Sequence, residues 1–197
     1  MTVKIGIILG TTRTPSLGSR IFAYLKTVLP ATSVDLTWID LKDYPLPFYD
    51  HAETPLSATI QNLTPVEQRW LTDLKAQDGY LILSPEYDHA MPGSLKNALD
   101  FVGPEVDHKP VQIVTYSHYS DGGMLAAASM VGILQMLKML VLPTPVLLWD
   151  ADQNFTAQGD LLPAVQNSDH FATRLQAAFD ELVHYATVGK QQPYQPK

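Results

Sequence analysis

Three short stretches of the chain concentrate side chains able to bind and orient a ligand. The first is GTTRTPSLGSR at residues 10–20, with hydroxyls at Thr11, Thr12, Thr14, Ser16 and Ser19 and the guanidinium of Arg13. It leads into a run of helical spacing. At a helix N-terminus, unpaired backbone N–H groups and the positive end of the dipole favour an anion. Hydroxyls donate to phosphate oxygens without adding a full charge, so the expected ligand chemistry is a phosphomonoester. The stretch is neither GxGxxG nor GxxxxGKS/T, so neither nucleotide-loop fingerprint supports it. A plainer alternative is that Ser16 or Ser19 caps the helix and the rest is turn chemistry, but one cap accounts for only one hydroxyl. The second stretch, SPEYDHAMPG at residues 84–93, is stiffened by Pro85 and Pro92 and offers Tyr87 as an aromatic surface for a flat ligand. Glu86 and Asp88 read equally well as turn residues on a solvated loop. The third is SHYSDGG at residues 117–123.

These stretches follow strand-like runs. VKIGIIL at 3–9 reads as a parallel strand buried on both faces. Ile21, Phe22, Leu25, Val28 and Leu29 then recur at helical spacing, with Pro30 as the stop. VDLTWI at 34–39 reads as an edge strand, and 40–60, with Pro45, Pro47 and Pro55, as an irregular excursion. Thr64-Pro65-Val66-Glu67 is a capping-box helix start, with Val66, Trp70 and Leu74 inward. A strand at 80–83, a helix over about 92–101, a strand at 111–116, a long apolar helix, a fifth strand at 145–149 and a final helix carrying Phe171, Leu175, Ala178 and Leu182 complete the pattern. Alternating strands and helices predict an α/β three-layer sandwich around a five-stranded parallel sheet, most simply in the flavodoxin-like order 2-1-3-4-5. The crevice then opens beyond the carboxyl ends of strands 1 and 3, with strand 4 alongside, and the three polar stretches meet there. Residues 1–190 read as one domain and the polar tail 191–197 as a segment that frays.

The composition narrows the function. The 197 residues carry a net charge of −7 with no basic cluster, which argues against nucleic acid as a main partner. No cysteine is present, so thiol nucleophiles, Cys-ligated zinc and iron–sulfur clusters are excluded. His51, His108, His170 and His184 show no metal-ligand spacing, and no metal is expected. The segment Met124–Leu142 has one charge, Lys138, yet Ser129, Gly132 and Gln135 interrupt it and Pro143 ends it. It reads as a helix covered by its own sheet and by a second subunit rather than as a membrane span. MTVK leads directly into the first apolar run without an h-region, so a cytoplasmic protein is expected.

SPEYDHAMPGSLKNALDF, residues 84–101, closely resembles the PEYN…PGxLKNALD signature of the NADPH-dependent FMN reductase family, with its quinone, azo-dye and chromate reductase relatives. LGTTRTPSLGSR resembles the same family's phosphate loop, and SHYSDGG its third loop. The resemblance implies a flavodoxin-like fold, a dimer or a dimer of dimers through helix 124–140, FMN as cofactor and NADPH or NADH as donor. It implies that Thr11, Thr12, Arg13, Ser16 and Ser19 hold the FMN phosphate and that Pro85, Glu86, Tyr87 and Asp88 line the ring. Ser117, His118 and Tyr119 then approach the ring's other edge. Asp88 stands where the family usually has Asn; its charge would lower the flavin's potential and bears on FMN affinity.

With such a cofactor the hydride chemistry is the flavin's. The expected cycle passes hydride from NAD(P)H to FMN and then to a small acceptor in the same site. It needs no acid–base dyad; His89 and His118 lie in the site loops, as rim residues or as proton donors. The alternatives are a flavodoxin-type electron carrier without an NAD(P)H site, and a regulator that shares the fold.

Overall fold

The structure, a computed structural model, describes residues 2–29, 34–119, 121–163 and 168–195. The N-terminal apolar run forms β1 (Val3–Leu9), buried along its length except at Lys4. It pairs in parallel with β2 (Val34–Asp40) on one side and with β3 (Gly79–Pro85) on the other. β3 pairs with β4 (Pro110–Tyr116), again in parallel. The order is β2-β1-β3-β4-β5, with β2 at the half-exposed edge, as the sequence predicts.

The far edge departs from the expected five strands. Two short strands, β5 (Leu140–Val141) and β6 (Val146–Leu148), both pair with β4. Pro110 aligns with Leu140 but Val114 with Val146, so two extra residues bulge out between them. Pro143 and Pro145 lack the N–H a continuous ladder requires. The Gln112 side chain fills the gap, donating from Nε2 to the Thr144 carbonyl at 2.8 Å.

Side chains of the strands alternate between two cores. Ile5, Ile7 and Leu9 of β1, Leu81 and Leu83 of β3 and Val114 of β4 face α1 (Leu17–Val28) and the C-terminal helix. Ile8, Tyr80, Ile82, Val111 and Ile113 face the three remaining long helices. These are α2 (Pro65–Lys75), α3 (Gly93–Asp100) and α4 (Met124–Met136). The chain closes with a short α5 (Ala151–Asn154), which the sequence reading did not foresee, and α6 (Ser168–Gln191), whose Phe171, Leu175 and Leu182 are buried. The proposed stop of α1 at Pro30 lies outside the described residues, as do the last two residues of the tail. The Tyr194 ring lies 4.4 Å from His108.

Two helix ends show how local chemistry sets the frame. Thr64 and Glu67 form the predicted capping box, Thr64 N–H donating to Glu67 Oε2 at 2.7 Å. Val66, expected inward, is only half-buried, while Trp70 and Leu74 are buried. α4 is shorter than the 124–140 expected from the apolar run. It ends in a Schellman motif: Lys138 takes φ 57°, its N–H reaches Gln135 O at 2.9 Å, and Met139 N–H reaches Leu134 O at 3.0 Å. The side chains stay apolar past this point because Leu140 and Val141 belong to the sheet. No described helix is long and apolar enough to cross a membrane.

Candidate active site

The three polar loops meet beyond the carboxyl ends of β1, β3 and β4. They line a cleft of about 570 Å³, within the range of small-molecule sites. Arg13, Ser16 and Arg20 form one end; Pro85, Glu86, Tyr87 and Asp88 form one wall; Ser117, His118 and Tyr119 form the other.

At the phosphate-loop end, Ser16 is the N-cap of α1. Its Oγ accepts from Ser19 N–H at 3.0 Å and lies 2.7 Å from Ser19 Oγ. The Tyr116 hydroxyl lies against the Gly18 N–H, and a methyl group on Gly18 would overlap it. Burial pushes the Tyr116 phenol up. The plainer reading of one serine as a cap is therefore realised. Of the first loop's charged and hydroxyl side chains, Arg13, Ser16 and Arg20 line the cleft; Thr11, Thr12, Thr14 and Ser19 do not, and Ser19 reaches it only through its bond to Ser16. Thr11 is buried, its Oγ1 3.0 Å from the Tyr87 hydroxyl and 3.3 Å from Arg13 N, so its side chain joins the first loop to the second. Thr12 faces a neighbouring hollow of about 550 Å³ shared with Tyr44, Leu46, Phe48 and Asn97.

The second loop is a tight hairpin. Tyr87 N–H donates to Ala90 O at 2.9 Å and Ala90 N–H to Tyr87 O at 3.0 Å, with Asp88 at φ 49° and His89 at φ 67°. Positive φ at both central positions is a type I′ turn, which favours Asn, Asp or Gly first. Asp88 thus satisfies a backbone requirement whatever it does to a ligand. Glu86 is half-buried and works at a distance: Oε2 accepts from Ala126 N–H at 3.0 Å, satisfying a free donor in the first turn of α4. Arg13 stacks on Tyr87, its guanidinium carbon 5.8 Å from the ring centre.

In the third loop, Asp121 Oδ1 accepts from Gly123 N–H at 3.1 Å and from Ser117 Oγ at 2.8 Å. These bonds, the backbone one first, hold its carboxyl below the usual range. Gly123 has φ 82°, and a methyl group there would sit 2.9 Å from Thr115 Cβ, so the turn requires glycine. His118 Nδ1 lies 3.4 Å from Asp152 Oδ1. Sequence reasoning missed Arg20, Asp121 and Asp152 as cleft residues. Arg20 and Asp121 sat inside quoted motifs and were legible as charged residues in site loops; Asp152 carried no signal. Among the described residues no group of three or more metal-ligating side chains is present.

The profile of the NADPH-dependent FMN reductase family matches residues 3–154. The chain belongs to that family. The NAD(P)H-dependent FMN reductase ntnL of Nectria sp. is 32% identical to this reductase over 170 residues, 83% of this chain and 81% of its own. A quinone reductase of Escherichia coli is 30% identical over 159 residues, 77% of this chain and 80% of its own. FerB, a flavoenzyme NAD(P)H:(acceptor) oxidoreductase from Paracoccus denitrificans, has the same fold. Its TM-score is 0.76 at 21% identity, covering 94% of this chain and 98% of that one.

Proposed function

We propose that this chain is an FMN-dependent oxidoreductase that passes hydride from NAD(P)H to a small acceptor, with quinones the first class to try. The observation that carries the reading is one cleft in which a helix start carrying Arg13, Ser16 and Arg20 stands opposite a proline-stiffened aromatic wall. Arg13 and Ser16, with Ser19 bonded to that serine, are assigned to the FMN phosphate, while Thr11 ties the loop to Tyr87 and Thr12 faces the neighbouring hollow. Pro85, Glu86, Tyr87 and Asp88 are assigned to one side of the ring and Ser117, His118 and Tyr119 to its other edge. When bound, FMN supplies the two-electron relay between donor and acceptor. The protein's part is to orient it. Arg13 and the serine hydroxyls hold the anionic end, and the Thr11–Tyr87 bond fixes the distance between the phosphate loop and the ring wall. The family and the quinone reductase of Escherichia coli support a small acceptor.

The assembly proposed is a homodimer through α4. Met124 and Met136 of that helix are 54% and 69% exposed, a large apolar area to leave in water. A two-fold axis along the helix would cover it. We place the protein in the cytoplasm, where NAD(P)H is at hand.

The test is the absorption spectrum of purified protein, reconstituted with FMN and then mixed with NADPH or NADH without oxygen. Stoichiometric FMN uptake and bleaching by a reduced nicotinamide are expected. Protein that takes up no FMN, or keeps its flavin colour with both donors, overturns the reading.

A further inference from the structure

Two-electron reduction of a quinone requires a hydride and, separately, a proton, and a histidine and a carboxylate meet on the wall of the cleft. His118 and Asp152 come from different segments, the β4–α4 loop and the start of α5. Their side chains meet on the wall of the cleft, His118 Nδ1 lying 3.4 Å from Asp152 Oδ1. His118 is held there by its neighbours. Ser117 N–H donates to Leu148 O and Ala151 N–H to Ser117 O, each at 3.1 Å, and Asp150 N–H donates to Tyr119 O at 3.3 Å. The Ser117 hydroxyl lies 2.8 Å from both Tyr119 O and Asp121 Oδ1, closing the turn. With the backbone pinned on both sides and Nδ1 3.4 Å from a carboxylate oxygen, the ring's Nε2 is the nitrogen left to exchange a proton with a ligand. The His118 side chain remains 63% exposed, so a molecule entering the mouth of the cleft can reach it. His89, the other cleft histidine, forms no ion pair among the described residues and sits on the turn tip.

We propose, resting on the functional reading above, that His118 is the proton donor to the acceptor and that Asp152 is its positioning residue. The quinone gains, by way of the flavin, the hydride equivalent that breaks from carbon in NAD(P)H as the nicotinamide is oxidised; it makes the first O–H bond as the quinone ring becomes aromatic and leaves a phenolate at the second oxygen. The imidazolium Nε2–H bond breaks as the second O–H bond forms, giving a hydroquinone and a neutral imidazole that takes its next proton from solvent. Arg13, Arg20, Asp88, His89 and Asp121 are the other charged or titratable groups lining the cleft with this pair, apart from Glu86 and the tyrosines.

The experiment compares two acceptors in FMN-loaded protein: a neutral benzoquinone, which takes up protons, and ferricyanide, which takes single electrons and none. For His118→Gln, the ratio of benzoquinone kcat to ferricyanide kcat should fall about 100-fold, within the general-acid range. Asp152→Asn should lower kcat for benzoquinone about tenfold with KM unchanged. As a readout independent of turnover, 4-nitrophenol binding to oxidised protein is followed by absorbance. Wild type should prefer the yellow phenolate and His118→Gln should lose that preference. Unchanged benzoquinone turnover in His118→Gln, or an equal loss with both acceptors, overturns the assignment while leaving the flavin chemistry standing. Failure of wild type with both acceptors overturns the functional reading itself.

Discussion

Asp88 carries two demands at once, and they can be separated. Its φ of 49° asks for a residue that tolerates the left-handed region, and its carboxylate places charge on the wall of the cleft. Asp88→Asn meets the first demand and removes the second. It should leave the denaturant midpoint unchanged and raise the reduction potential of bound FMN in a spectroelectrochemical titration. Asp88→Val fails the backbone demand and should cost about 1–3 kcal/mol in urea unfolding. The sequence marked Asp88 as a departure from the family's Asn, but a one-letter code carries no φ. Glu86 is similar: its motif was legible, its partner Ala126, 40 residues on, was not.

Among the elements, α4 carries the proposed dimer contact. Its inner face, Ala126, Met130 and Leu134, is buried, while Gln135 and Met136 point outward and Ile133 packs partly against the core. The double substitution Gln135→Lys, Met136→Lys places charge only on the outer face. Light scattering should then show monomers with unchanged far-UV circular dichroism; an intact dimer would move the interface elsewhere. Lysine at Ile133 would confuse the test by disturbing packing. The helix boundary was misread because hydrophobicity does not stop where α4 stops. A Schellman turn at Lys138 and a strand at Leu140–Val141 share the apolar run, and only their hydrogen bonds tell them apart. The capping box at Thr64, which has a local code, was legible from the sequence.

For the whole molecule, the pH dependence of stability follows from a few buried or half-buried lysine and tyrosine side chains. Burial pushes the Lys109 ammonium down to about 8 from its ordinary 10.5. Between those values the unfolded chain binds more protons than the folded one, so Lys109 makes stability rise with pH. Burial raises Tyr44, Tyr80 and Tyr116 above their ordinary 10.0. Above about 10 the unfolded chain therefore loses phenolic protons first, and stability falls. Urea midpoints should climb from pH 8 to a maximum near 10 and then drop, and Lys109→Met should flatten the climb. The sequence by itself determined the strand order, the two-sided cores and the meeting of three polar loops, because period, caps and crossover handedness are local or topological rules. It could not determine the broken edge beside β4, the capping role of Glu86 or the His118–Asp152 pair. Each of those depends on side chains brought together across 30 or more residues of chain, where distance in space has no signature in spacing.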